Sequence, residues 1–235
     1  MLKIHGATKH YKDTTALSSV DLSLDRGEVV GLFGANGAGK TTLLKCAMGL
    51  HSLASGWVTI DGLQLSRESY EKLSFITEEG SFFADMTPQA HNEFYTAMLP
   101  QFNPTRFARL VEFFQLEPTK KARAFSRGQQ AKLEIAIGMS RGADFILMDE
   151  PFLGKDIFTR RDFLKLMIAM LEPHEGVIIA THQIEEIEMF ITRAVVMKGG
   201  RIAANKPSEE FMEEGLSAFI QQSCGYDDGR VMEFF

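Results

Sequence analysis

Apolar positions along the chain follow two rhythms. Short β-branched runs alternate with helical patterns, which predicts an α/β fold. Val29-Val-Gly-Leu-Phe33 predicts a buried strand leading into a glycine-rich turn, then a helix from Lys40 to about Gly49. Trp57-Val-Thr-Ile60 followed by Asp61-Gly62 predicts a strand entering a tight turn. Phe145–Met148, Val177–Ala180 and Ala194–Met197 are further strands, with a helix near Arg160–Leu171 between the first two.

The middle of the chain changes character. From Pro88 to Leu116 the pattern is helical, without a strong strand. Thr87-Pro88 and Asn103-Pro104 each set a capping residue before a proline at the first helical position. Phe107, Leu110, Val111 and Phe114 then mark one helical face. A mostly helical insert therefore interrupts the α/β core. Phenylalanines 75, 82, 83, 94, 102, 107, 113 and 114 crowd this region and are expected mainly in the core, with Phe82 and Phe83 as a candidate docking surface. The acidic pairs Glu209-Glu210 and Glu213-Glu214 read as a solvated helix face.

Composition narrows the picture modestly. With 235 residues the chain can bury a substantial core, and its 45% hydrophobic and 24% charged content is ordinary for a globular protein. A net charge of −6 tilts against a nucleic-acid partner, since phosphate neutralisation leaves a basic footprint. Two distant cysteines, Cys46 and Cys224, lack metal or disulfide spacing and suit a reducing compartment. The N-terminus does not read as a signal peptide. The apolar runs of four residues fall far short of the roughly 20 needed to span a bilayer. Any membrane role would pass through a partner.

The strongest chemistry follows the first buried strand. Gly34-Ala-Asn36-Gly37-Ala-Gly39-Lys40-Thr41-Thr42 matches GxxxxGK[ST]. Its glycines let backbone N–H groups turn inward around phosphate oxygens, and the following helix presents its positive end. Lys40 would reach the β- and γ-phosphates, Thr41 would ligate Mg²⁺, and Thr42 would bond the α-phosphate. Phe145-Ile-Leu-Met-Asp149-Glu150 is an apolar strand ending in two carboxylates, a position that lies beside the phosphate cradle in such folds. Asp149 would hold Mg²⁺, and Glu150 would orient or deprotonate the attacking water.

Both motifs occur in many nucleotide hydrolases; the stretch ahead of the acidic pair is more specific. Phe125-Ser126-Arg127-Gly128-Gln129-Gln130 resembles the LSGGQ signature of ATP-binding-cassette (ABC) ATPases. Tyr11 resembles the family's adenine-stacking aromatic, His182 its γ-phosphate switch histidine, and Asp156 the loop that crosses its dimer interface. The resemblance covers essentially residues 1–205. It implies a P-loop core with a mixed sheet flanked by helices, an antiparallel β subdomain and a helical subdomain at about 79–127. A short C-terminal helix and tail would follow over 206–235. It further implies ATP and Mg²⁺ as cofactors. Ser126, Gly128 and Gln129 of a second chain would close over each nucleotide, in a homodimer docked on an integral membrane permease. The chain would then be cytoplasmic, peripheral at the cytoplasmic face of the membrane.

Departures stand out at four positions. Glu78 occupies the place of the family's glutamine, which touches Mg²⁺ and the lytic water; it can still accept such contacts while adding negative charge. Arg127 replaces the first signature glycine, and Leu153 and Lys155 replace small and apolar residues before Asp156. Three readings follow. The first is an ATPase powering export of a drug-, peptide- or antibiotic-like substrate, the subtype that the loop holding Glu78, the Phe82-Phe83-Ala-Asp-Met-Thr87 segment and the compact ending resemble. The second is an importer ATPase. The third is a nucleotide-dependent regulatory module with little hydrolysis.

Overall fold

The structure, a computed structural model, describes residues 1–77, 80–151, 160–182 and 184–225. The described residues form ten strands and seven α-helices in the order β1 Leu2–Tyr11, β2 Thr14–Leu24, β3 Val29–Phe33, α1 Lys40–Ala47, β4 Ser55–Ile60, β5 Leu63–Gln64, β6 Leu73–Ile76, α2 Pro88–Met98, α3 Pro104–Phe113, α4 Arg127–Ser140, β7 Phe145–Asp149, α5 Arg160–Met170, β8 Gly176–Ala180, α6 Ile184–Ile187, β9 Arg193–Lys198, β10 Arg201–Pro207 and α7 Leu216–Cys224. Among the described residues, no helix is long and apolar enough to cross a membrane.

Six strands form the central sheet in the order β10-β9-β3-β8-β7-β6, parallel except for β10 at its edge. Their alternation explains why the sequence runs look continuously apolar. Val29, Phe33, Ile146, Met148, Val177, Ile179, Ala194 and Val196 point into one core, shared with the helices of the middle and the C-terminus. Val30, Leu32, Phe145, Leu147, Ile178, Ala180, Val195 and Met197 point into another, shared with α1 and the second sheet. A parallel sheet covered on both faces needs apolar residues at every position. Each fully buried aliphatic side chain contributes about 1.5–3 kcal/mol. The second sheet is antiparallel, ordered β2-β1-β4-β5, with Asp61 and Gly62 at φ 53° and 83° making the tight turn between β4 and β5.

Both predicted caps form. Thr87 accepts from the Ala90 N–H and Asn103 from the Arg106 N–H, each with proline next in line. Helix α1 stops at Ala47 rather than Gly49, because Gly49 adopts φ 67°. Its N–H reaches the Cys46 carbonyl while the Leu50 N–H reaches the Lys45 carbonyl, the paired closure that a left-handed residue permits. The acidic pairs are exposed but not on a helix face: Glu209 and Glu210 lie in a 3-10 turn, Glu213 and Glu214 in the turn before α7. Both cysteines are buried and unbridged.

In the helical section Phe107, Leu110, Val111 and Phe114 are all buried. Phe82 is half-buried against the same core, which leaves Phe83, 43% exposed, as the one ring of the candidate docking pair open to solvent. Arg106 on α3 is buried with Glu175, ahead of β8, and the two pair at 2.6 Å. This ion pair ties α3 to the central sheet.

Candidate functional site

The loop between β3 and α1 is shaped by glycines at positive φ. Gly34 and Gly39 have φ of 146° and 107°. A β-carbon on Gly34 would stand 2.4 Å from the Met197 carbonyl oxygen, and one on Gly39 would stand 2.7 Å from that of Ala16. Gly37 differs: its φ is 79°, yet a β-carbon there would meet nothing within 4 Å. Gly37 is exposed. Asn36 beside it is exposed.

Lys40 begins α1 and is 7% exposed. Its ammonium donates to the carbonyls of Gly34 at 2.5 Å and Ala35 at 3.4 Å, so it lies folded back along the loop. Burial pushes its pKa down, while Glu150 and Asp149 nearby pull it back up. Gly39 caps α1 without a side-chain hydrogen bond, so no cap side chain occupies the first-turn N–H groups. Helix dipole, unoccupied amides and a charged amine together make an anion cradle.

Asp149 ends β7 and faces that cradle. Burial raises its pKa first, Glu150 adds to the rise, and the Thr41 hydroxyl bond with Lys40 and Lys45 opposes it. Its Oδ1 is buried with no protein partner among the described residues. An orphaned carboxylate oxygen next to a hydroxyl is a hard-oxygen pair of the kind Mg²⁺ takes, the rest of its shell coming from water and phosphate. The residues present therefore fit Mg²⁺, with Thr41 and Asp149 as its holders.

Glu150 follows in a left-handed conformation, φ 48°, uncommon for a residue with a β-carbon. Its N–H donates to the Ala180 carbonyl at 2.8 Å. Its carboxylate reaches the end of β8, where His182 Nδ1 lies 3.0 Å from Oε1 and the Thr181 hydroxyl 3.2 Å from Oε2. Because a carboxylate accepts, the Nδ1 of His182 carries the proton in this contact. Lys40, Thr41, Asp149, Glu150 and His182 thus converge at the C-terminal ends of β3, β7 and β8. Thr181 joins them. Sequence reasoning passed over it, although a hydroxyl at the end of a buried strand beside a histidine was a visible signal.

The other expected residues lie apart from this cluster or outside the description. Tyr11 ends β1, with its hydroxyl 2.5 Å from His51 Nδ1 and the Lys9 ammonium 5.1 Å from its ring centroid. Ser126 and Gln129 make a reciprocal capping box at the start of α4, and Gly128 beside them has open space where a β-carbon would be. Arg127 is exposed, as an outward-pointing replacement requires. Glu78 and Asp156 lie outside the described residues, as do Leu153 and Lys155. Thr42 is half-buried in the first turn of α1.

With this geometry in place, comparison with known proteins gives a consistent result. The family described as ABC transporter matches residues 17–153, more than half of the chain. The lipopolysaccharide export system ATP-binding protein LptB of Haemophilus influenzae is 29% identical over 225 residues, covering 91% of this chain and 93% of that protein. The spermidine/putrescine import ATP-binding protein PotA of Oleidesulfovibrio alaskensis is 30% identical over 235 residues, covering 96% of this chain and 62% of that protein. A dimeric post-hydrolysis structure of the ATP-binding cassette MJ0796, bound to ADP and Pi, superposes with a TM-score of 0.76 at 23% identity, covering 88% of this chain and 99% of that one.

Proposed function

This chain belongs to the ABC transporter family, and on that premise we propose that it is the subunit that binds and hydrolyses ATP to energise export through a separate membrane permease. The observation that carries hydrolysis is the contact of Glu150 with Thr181 and His182 beside Asp149 and Lys40. A binding-only module would need the cradle alone. This chain also carries a carboxylate base held against two donors.

In the reaction, Lys40 and the amides of the Gly34–Thr42 loop hold the β- and γ-phosphates. Thr41 and Asp149 would hold Mg²⁺, which would supply charge neutralisation on the phosphate oxygens. Glu150 accepts a proton from water as the water oxygen bonds to the γ-phosphorus. The bond from phosphorus to the bridging oxygen breaks, and ADP leaves with its electron pair. His182, 49% exposed, has the freedom to turn from Glu150 to the γ-phosphate. Tyr11 stacks on adenine, and Ser126, Gly128 and Gln129 of a second chain close the site. Glu78 and Asp156 complete the set by resemblance.

The similarity to LptB, at 29% identity over 91% of this chain, supports export, and the similarity to PotA, at 30% identity over 96% of this chain, supports import as the second reading. A drug-, peptide- or antibiotic-like cargo fits the exporter type that the sequence resembles. Steady-state hydrolysis tests the enzyme reading: turnover rising more than linearly with protein concentration, and lost in Glu150→Gln, is expected. A binding-only protein would bind ATP and show no Glu150-dependent turnover. Co-purification of a polytopic membrane protein from native membranes at near-equal amounts tests the transport reading.

A further inference from the structure

We propose that Thr181 is a positioning residue for the base Glu150, fixing one carboxylate oxygen so that the other receives the proton of the attacking water. The inference rests on the hydrolytic reading above and deepens it, giving the Thr181 contact a specific task in the chemical step.

Thr181 has no exposed surface, and it is held from two sides. Its backbone N–H donates to the Leu32 carbonyl at 3.3 Å, on the strand that feeds the phosphate loop. Its hydroxyl lies 3.2 Å from Glu150 Oε2. One residue thereby connects the strand carrying the phosphate cradle to the carboxylate that serves it. Glu150 needs such an anchor, because it sits past the end of β7 in a left-handed conformation with φ 48°. Its backbone is fixed by the 2.8 Å bond to Ala180, but its side chain has three rotatable bonds of its own.

The two donors on Glu150 are not equivalent. His182 is half exposed and can swing away; Thr181 is enclosed and cannot. When His182 turns to phosphate, Oε1 is freed for water while Oε2 stays on the Thr181 hydroxyl. That bond survives the proton transfer in a weaker form, since the hydroxyl donates to a carboxylate and, less strongly, to the carbonyl oxygen of a carboxylic acid. Orientation of this kind acts on the chemical step and leaves nucleotide binding alone.

The test uses Thr181→Val, which keeps the shape and removes the donor, with Thr181→Ser as rescue. Expected are a kcat about tenfold lower in the Val variant, KM for ATP and affinity for ADP within about twofold, and near-full turnover in the Ser variant. In a Glu150→Gln background, Thr181→Val should cause no further loss. If Val is not tolerated in the folded chain, judged by ADP binding and thermal midpoint, Thr181→Ala is read in the same way. Wild-type turnover in the donor-lacking variant, equal losses in Val and Ser, a loss confined to KM, or a full additional loss on Glu150→Gln would each overturn the assignment. Undiminished turnover in Glu150→Gln itself would instead sink the reading of Glu150 as base, and this inference with it.

Discussion

The buried pair of Arg106 and Glu175 gives the sharpest stability prediction. Arg106 is 6% exposed and Glu175 2%, with Nη1 and Oε1 at 2.6 Å. Replacing Arg106 by Met leaves the Glu175 carboxylate inside the protein with one remaining donor, the Glu172 N–H at 2.8 Å on Oε2. Stranding a buried charge in this way costs about 3–5 kcal/mol, a large part of a total stability of roughly 5–15 kcal/mol. For a domain of this size each kcal/mol moves the midpoint by about 2–4 °C, so Tm should fall by about 6–20 °C. The double variant Arg106→Met/Glu175→Gln should recover most of the loss. Gln keeps an acceptor for Glu172, and the wild-type pair is itself imperfect, since Arg106 Nε and Nη2 have no protein partner among the described residues. Urea unfolding followed by far-ultraviolet circular dichroism measures all four corners of the cycle. A single variant losing less than about 1 kcal/mol, or a double variant no better than the single, would refute the claim that an uncompensated charge sets the cost.

The remaining predictions concern the nucleotide cradle. Asp149→Asn should raise the thermal midpoint of the nucleotide-free protein at pH 7 while abolishing Mg²⁺-dependent turnover. Because burial holds the Asp149 carboxyl above its ordinary range, the native chain binds its proton more tightly than the unfolded chain, and stability falls as pH rises through the native value. The advantage of Asn is therefore full at neutral pH and should shrink on acidification; an advantage that grows in acid would contradict the sign. Gly34→Ala and Gly37→Ala should separate folding from binding. The first drives a β-carbon to 2.4 Å from a backbone oxygen and should cost at least about 1–3 kcal/mol in unfolding. The second meets open space, so it should cost only about 1–2 kcal/mol for its positive φ yet weaken ADP binding more than tenfold, as calorimetry would show.

Much of this arrangement was legible because its signals are local. The phosphate loop, the capped starts of α2 and α3, and the buried strands each lie in a few consecutive residues. What escaped was non-local or irregular. Strands β1 and β2 were passed over because their alternation breaks: the pairing shifts register between Ile4 and Ala7 and again toward His10, with Gly6 and Ser19 at φ 52°. Such bulges turn the next side chains to the other face and scramble a period of two. Strand β10 has no buried residue and ends in Pro207, the profile of an edge. Arg106 falls on the apolar stripe of α3, one position before Phe107, where a charge predicts a buried partner without naming Glu175.

The cluster at the strand ends itself shows the boundary between the two kinds of information. Chemistry at strand ends can be read one strand at a time; which ends meet depends on pairing. Strands β7 and β8 lie side by side in parallel with Asp149 opposite Ala180. The next residue on each strand is then Glu150 on one and Thr181 on the other, and they meet just beyond the last ladder position. A slip of one residue would set Thr181 opposite Asp149 and reverse the faces of every side chain on β8, moving Val177 and Ile179 out of one core and Ile178 and Ala180 out of the other. Those apolar positions therefore hold Glu150 and Thr181 in register as well as stabilising the sheet. A change in the volume of Ile178 or Ile179 would reach the site through this register, without touching nucleotide.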